Sequence, residues 1–551
     1  MKRQRVLKSV LSVLLALAMV LATRATALTA FAYNPVAEVK TIADVPADLS
    51  GKTIILHSND VHGAIGRYAY IASVKQNFQK RGAEVILVDS GDFSQGTSYV
   101  AQSKGADAVT SMNAAGYDII TIGNHEFDYG QTQLRANIAV GKFKTVCANI
   151  LDANGNPIFD PNTMYTTKSG LKLGFFGVNT PETQTKSNPV FIKGLTFLSK
   201  GDLYACGQKQ VDELKAQGAD LVICLAHLGV DKEAAREGIS SDIFYDHVKG
   251  IDFLFDGHSH TVMSAEGKEQ MESTGTKLET IGVLVIDDAT KKIESSYVLS
   301  LDGLQKEVVA DAITTNIIKR INAEYDVVFA KSEVNLNGEK APGNRTQETN
   351  MGDLVSEAML WTVTKDAGSI SVDPSHAVAI TNGGGLRAPI KVGDVTKKDV
   401  NTVLPFGNTV TVVYVTGEQL LEALEASTFC TPDPVGGYPQ TTGIKFTINT
   451  GKSYAAGPTY PASTYHKPAS INRVTIESIN GQPFSKTDTY AVVTNNFISD
   501  GGDTYYGFSQ ATEKFDTGIP LDEAVMAYIT EELHGNIGSK YAEPRGDQTI
   551  K

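Results

Sequence analysis

Residues 53–63 read Thr53-Ile54-Ile55-Leu56-His57-Ser58-Asn59-Asp60-Val61-His62-Gly63. A short apolar run ends in a polar loop that carries a carboxylate and an imidazole two positions apart. The same grammar recurs through the first half of the chain. Apolar runs stand at Thr53–Leu56, Val85–Val88, Ile119–Ile122, Leu173–Val178, Leu221–Ala226 and Asp252–Phe255, with helical stretches between them. Strand-length runs alternating with helical patterns predict an α/β domain, here over residues 51–303. From Leu304 to Tyr325, Val309, Ile313, Ile317 and Ile321 fall every four residues, the stripe of a helix. We expect it over 304–326, linking the first domain to a second. That second domain, 327–551, reads as α+β, with glycine-rich turns at Asn382–Gly385, Gly436-Gly437 and Gly501-Gly502. A chain of 551 residues is long enough for two sizeable domains.

Five loops behind these runs carry residues that bind metals. The first supplies Asp60 and His62. Asp89-Ser90-Gly91-Asp92 supplies a further carboxylate. Gly123-Asn124-His125-Glu126-Phe127-Asp128 supplies an amide oxygen, an imidazole and another carboxylate. Ala226-His227 and Gly257-His258-Ser259-His260 supply three more imidazoles. Ligands of open α/β sheets gather at the carboxyl ends of the strands, so these loops should converge. One Asp-x-His pair, or one His at a strand end, is more often an ordinary structural residue. The set is another matter: seven of the ten His precede residue 261, and five of those seven lie in these loops. His57 is expected one step outside the ligand set, and His247 at the surface. Mixed His, Asp and Asn ligands suit two divalent ions, zinc or manganese. Two such ions about 3.5–4 Å apart neutralise the charge of a phosphate ester and activate water against it.

Asp60-x-His62, Gly91-Asp92, Gly123-Asn124-His125-Glu126, His227 and Gly257-His258-x-His260 resemble the calcineurin-like metallophosphoesterase signature. The longer strings His57–Gly63, Gly123–Asp128 and Asn382–Arg387 resemble the 5′-nucleotidase family, a likeness that runs from about residue 52 to about residue 540. The resemblance implies a metallophosphoesterase α/β sandwich joined by a linker helix to an α+β domain. It implies that Asp60, His62, Asp92 and His260 hold one metal, and that Asp92 bridges to a second completed by Asn124, His227 and His258. It implies His125 and Asp128 as the catalytic pair. His260 departs from family members that carry an amide at this position and matches the broader superfamily.

The second domain offers Asn344-Arg345-Thr346, Asn382-Gly383-Gly384-Gly385-Leu386-Arg387, Leu404-Pro405-Phe406-Gly407 and Asn496-Phe497 through Asp503. Guanidinium groups recognise phosphate by forked hydrogen bonds. Aromatic rings stack on bases, and a carboxylate accepts from ribose hydroxyls. Taken singly, each string is more often a turn or core. Their order resembles the nucleotide-binding half of 5′-nucleotidases, which implies Arg345 and Arg387 on the phosphate with Asn382 nearby. It also implies Phe406 and Phe497 on the base and Asp503 on the ribose. Some members carry a further Arg just after the position of Arg345; here Gln347 and Thr349 flank the motif. Tyr505 and Tyr506 receive no role.

Composition narrows the remaining readings. A net charge of −13 argues against a binder of nucleic acid polymers and is compatible with a mononucleotide substrate in a locally cationic pocket. Met1-Lys2-Arg3-Gln4-Arg5, the apolar Val10–Leu21 and Ala30-Phe31-Ala32 predict a signal peptide over 1–32, cleaved before Tyr33. A segment over 33–50 then leads into the first domain, and the protein is expected outside the cytoplasm or in the cell envelope. No later stretch reads as a transmembrane span, and oligomeric state is not legible. Cys147 and Cys224 sit in apolar runs as small hydrophobes, while a Cys147–Cys206 or other disulfide stays open. The leading expectation is a secreted hydrolase of nucleoside 5′-monophosphates, with di- and triphosphates or UDP-sugars open as further substrates. Two rivals stand beside it: a 2′,3′-cyclic-nucleotide phosphodiesterase with 3′-nucleotidase activity, and a catalytically silent binding protein.

Overall fold

The structure is a computed structural model that describes residues 39–188, 191–264, 270–365, 370–511 and 513–551. The expected signal peptide and its cleavage point lie outside the described residues.

Two sheets form the first half. In one, Lys52–Ser58 pairs parallel with Glu84–Asp89, which pairs parallel with Ile119–Ile120. Thr280–Asp287 and Lys292–Ser300 extend it antiparallel on the other side. In the second sheet, Lys172–Asn179, Leu221–His227 and Phe253–Phe255 run parallel. The side chains of one strand show how the layers stack. Ile54 and Leu56 enter a core with the helices Tyr68–Lys80 and Ala106–Ala115, while Ile55 points between the sheets. There Ile55, Ile86, Val88 and Leu284 meet Phe175, Ile223, Leu225 and Phe253. The outer face of the second sheet is covered by helix Lys200–Ala216. Strands buried on both faces need apolar residues at every position, which is why they read as continuous runs.

The connecting helix spans Val308–Tyr325, with the Glu307 carboxylate accepting from Ala310 N–H at 2.7 Å. It is packed rather than free: Ala310, Ile317 and Ile321 share one core with Tyr68 and Phe78. The stripe differs from the expected one, because Val309 is 63% exposed while Ala310 and Thr314 are buried. A spacing of four advances about 40° beyond a full turn each time, so a long i, i+4 series drifts off the buried face.

The second half centres on a five-stranded sheet ordered Pro439–Thr442, Ala377–Asn382, Thr489–Asn495, Thr409–Thr416, Glu513–Pro520. Helix Asn350–Thr364 packs in the core on one face and Gly417–Ser427 in that on the other. Both start at threonine caps, Thr349 accepting from Gly352 N–H and Thr416 from Gln419 N–H. The three-residue strand Gln548–Ile550 pairs parallel with Ile444–Ile448, tying the last residues into this half. Among the described residues no helix is long and apolar enough to cross a membrane, and all four cysteines are free.

Candidate active site

The parallel strands deliver the expected loops to one place. Ser58 lies opposite Asp89, and His227, the last residue of its strand, lies opposite Asn179. Two clusters of donor atoms result. In the first, His62 Nε2 and His260 Nε2 are 3.0 Å apart, and Asp60 Oδ1 is 3.8 and 3.5 Å from them. In the second, His227 Nε2 lies 3.2 Å from Asp92 Oδ2 and 3.3 Å from Asn124 Oδ1, and His258 Nδ1 lies 2.9 Å from the same amide oxygen. Asp92 Oδ2 is also 3.8 Å from His62 Nε2, so it stands between the clusters.

These residues fit divalent ions. Four donors at about 2.1 Å from a tetrahedral ion lie about 3.4 Å from one another, close to the spacings found. Asp60 Oδ2 accepts from His258 N–H and the Asn59 amide, whereas Oδ1 is buried and accepts no hydrogen bond from a described residue. A buried carboxylate oxygen that faces imidazole nitrogens and accepts no hydrogen bond has the chemistry of a metal ligand. The tautomers agree. His227 Nδ1 is 2.6 Å from the Ser90 carbonyl and His258 Nε2 is 2.7 Å from Glu182 Oε2, which turns the other ring nitrogen of each toward the centre. The field is strongly negative. Burial alone would hold His227 neutral, yet Asp92 and Asp60 outweigh it and lift the pKa to about 10. Burial raises Asp60 to about 7, with Asp92 adding to the rise and His227 opposing it.

The backbone pays for this convergence. Asp60, His62, Asp92, His258 and His260 have φ of 50°, 43°, 60°, 79° and 55°, a region non-glycine residues seldom occupy. Each costs about 1–3 kcal/mol, held only where the surroundings over-determine the conformation. Glu126 provides part of that constraint. Its buried carboxylate accepts from the N–H groups of Asp92, Phe93, Ser94 and Gly123 at 2.6–3.1 Å, clamping two ligand loops together. Gly123 must be glycine, since a Cβ there would sit 2.2 Å from Asp92 Oδ1 and 2.7 Å from the His227 ring.

His125 Nδ1 lies 2.6 Å from Asp128 Oδ2. Burial disfavours the imidazolium, but Asp128 and then Asp92 outweigh it and raise the His125 pKa. The rest of the sequence-derived site completes a cavity of about 430 Å³ between the two halves. Asp92, Asn124, His125, Asp128, His258 and His260 line one side, and Arg345, Asn382, Arg387, Phe406, Phe497 and Asp503 the other. Asp60, His62 and His227 lie buried beside them. Phe406 stacks on His125 with centroids 5.7 Å apart, and the Arg387 guanidinium lies 5.6 Å from the Phe406 ring. Phe497 packs on Gly502, where a Cβ would come within 2.3 Å of its ring. Asn382 donates to Asp503 Oδ2 at 2.9 Å and accepts from Asn495 at 3.1 Å. Direct bonds join the halves around the cavity: Asp503 N–H to the Thr185 carbonyl at 2.7 Å, and Lys186 Nζ to Tyr465 Oη at 2.8 Å.

His57 is one step outside, bonded to Ser90 Oγ at 3.0 Å and kept neutral by burial, with its pKa near 3. His247 is exposed and stacks on Tyr204. Sequence reasoning left Glu182 unread. Five of the six apolar runs end in a histidine- or aspartate-bearing loop; the sixth, Leu173–Val178, leads to Glu182. The clamp role of Glu126 and the cavity positions of Lys186 and Lys340 were also unread.

Two face-to-face sheets with a double carboxylate–imidazole ligand set at their strand ends define a calcineurin-like phosphoesterase, and that family description matches residues 53–262. The description 5′-nucleotidase, C-terminal domain, matches residues 328–510. The chain thus joins a calcineurin-like phosphoesterase domain to a 5′-nucleotidase C-terminal domain. It is similar to the trifunctional nucleotide phosphoesterase protein YfkN of Bacillus subtilis, 29% identical over 90% of this chain and 35% of that longer protein. It is 26% identical to protein UshA of Escherichia coli over 91% of this chain and 94% of that one. A solved 5′-nucleotidase precursor from Thermus thermophilus superposes with a TM-score of 0.74 at 26% identity, over 91% of this chain and 99% of that one.

Proposed function

We propose that this protein hydrolyses nucleoside 5′-monophosphates to nucleoside and orthophosphate. One observation carries the reading: a single cavity is lined by the metal-ligand cluster, by His125, by two arginines and by two aromatic rings. Asp60, His62, Asp92 and His260 would hold one ion, and Asp92, Asn124, His227 and His258 the other, with zinc or manganese the best match to the donors. When bound, the ions supply charge neutralisation at the phosphate and activation of water. Asp128 takes Nδ1 of His125, which leaves Nε2–H of the imidazolium to stabilise phosphoryl oxygens as charge builds on them. Arg345 and Arg387 hold further phosphate oxygens by charged hydrogen bonds. Asn382 holds Asp503 Oδ2, leaving the second carboxylate oxygen for ribose hydroxyls. Phe406 and Phe497 receive the base, which stacking allows to be purine or pyrimidine. The basic and apolar segments before Tyr33 support export, checked by whether the secreted chain begins at Tyr33.

A phosphate-release screen tests the reading, run with chelator and then with Zn²⁺, Mn²⁺ or Co²⁺ restored. AMP should be turned over faster than 2′,3′-cyclic AMP, and chelator should abolish both activities. Preference for the cyclic diester would replace this reading with the phosphodiesterase, an outcome worth testing because one relative is named a trifunctional nucleotide phosphoesterase. A metal-replete protein without turnover on any nucleotide would make it a binding protein.

A further inference from the structure

The loop that carries Arg345 is anchored on both of its flanks, and one anchor is a buried carboxylate without a role in the reading above. On the sheet side, the Arg345 carbonyl accepts from Val435 N–H at 3.1 Å. The Gln440 amide, in strand Pro439–Thr442, donates to the Asn344 and Gln347 carbonyls at 3.0 and 2.7 Å. Three residues beyond Arg345, the buried Glu348 carboxylate accepts from three successive N–H groups, those of Gly546, Asp547 and Gln548, at 3.1–3.2 Å. Asp353, in the first turn of the helix Asn350–Thr364, grips the same segment. It accepts from the Arg545 N–H and from the Arg545 guanidinium at 2.8 Å each. The gripped segment is itself fixed to the sheets. Gln548–Ile550 pairs with Ile444–Ile448, and the Gln548 amide donates to the Pro439 carbonyl at 2.9 Å.

This placement of Glu348 is unfavourable in isolation. Burial and then Asp353 push its pKa up to about 7, and the Gln548 and Asp547 N–H groups oppose the rise. A carboxylate buried beside a second acid needs compensating donors, and here they come from a segment about two hundred residues away. We propose that Glu348 is a positioning residue for phosphate recognition, holding the Arg345 loop to the Arg545–Gln548 segment so that the guanidinium is pre-set toward the cavity. The inference rests on the reading of Arg345 as a phosphate contact and deepens it. A loop held on both flanks before the ligand arrives loses less freedom on binding. The brace therefore acts on affinity for the phosphate and leaves the metal side alone.

A double-mutant cycle tests it, with Glu348→Ala, Arg345→Ala and the two combined. Orthophosphate affinity is read by calorimetry on the metal-loaded protein, alongside metal content and KM and kcat on AMP. Glu348→Ala should weaken orthophosphate and raise KM for AMP by about three- to tenfold, the scale of ordering one long side chain on binding. Bound metal and kcat should change far less. Glu348→Gln, which keeps one acceptor oxygen, should lose less, and Arg545→Met should show a smaller loss of the same kind. With Arg345→Ala in place, Glu348→Ala should cost no further affinity, because a brace acts only through the side chain it positions. Should Glu348→Ala fail to fold, the same cycle is run with Glu348→Gln and Arg545→Met. Unchanged orthophosphate affinity in the Glu348 variants would overturn the brace, as would an equal loss with and without Arg345. An Arg345→Ala protein that binds orthophosphate as the wild type does would sink the parent reading of Arg345 and the brace together.

Discussion

The two sides of the cavity hold their residues by different means. On the first-half side, five candidate ligand residues sit at positive φ, locked by the Glu126 clamp and by the contact at Gly123. On the other side, Arg345 and Arg387 form no ion pair among the described residues, and Phe406 and Phe497 are half-buried. The first arrangement is fixed by contacts within the protein. The second presents cations and rings to the cavity. Damage to the first side should therefore act on metal content and kcat, and damage to the second on KM.

The sharpest break is Asp92→Asn, because Asp92 Oδ2 stands between the two donor clusters. We expect loss of at least one ion and about a thousandfold or more in kcat, several kcal/mol of charge stabilisation. Metal analysis and kinetics on one preparation check it; two retained ions with near-normal turnover would refute the bridging role. Next comes His125→Ala, which should keep both ions and lose about 3–4 kcal/mol of transition-state stabilisation, some hundredfold to a thousandfold in kcat. Asp128→Asn should act the same way more mildly. If His125→Ala loses metal in proportion to activity, His125 is itself a ligand.

Smaller effects sharpen the contrast. Glu182→Gln weakens the acceptor that orients His258, so affinity for one ion should fall about 10–100-fold while the other ion stays. Titration of the apo-protein with Zn²⁺ reads this directly, and two unchanged affinities would make Glu182 a packing residue. Phe497→Ala should raise KM for nucleotides by the equivalent of about 1–3 kcal/mol. It should barely touch a small phosphate ester that has no base. Equal damage to both substrates would mean that Phe497 supports the fold.

Much of the metal side was legible because its chemistry is local. Each candidate ligand stands within a few residues of the end of an apolar run, as Asp60 and His62 follow Leu56 and His258 follows Phe255. Glu182 stands in the same relation to Val178, but a lone Glu is too common a residue to signal by type. Its role appears only when His258 turns its Nε2 toward it. Glu126 was visible as part of a motif, yet its four backbone partners come from two loops brought together by parallel pairing. The connecting helix was legible as a helix, and its buried face was displaced by one position, because helical drift is resolved only by what packs against it.

The linear chain by itself determined the two α/β-rich halves, the strand-end position of every metal-ligand candidate and the pairing of His125 with Asp128. Those depend on short-range order: hydrophobic period, loop composition and residues three positions apart. Tertiary structure alone decided which imidazole nitrogen faces the centre, which carboxylate oxygen is left without a donor, and that Phe406 lies on His125. It also decided that Arg345 and Arg387 share one cavity with His125 and Asp92. These features arise mainly from contacts between segments distant in the chain, where orientation is set by packing of whole sheets and no local pattern encodes it.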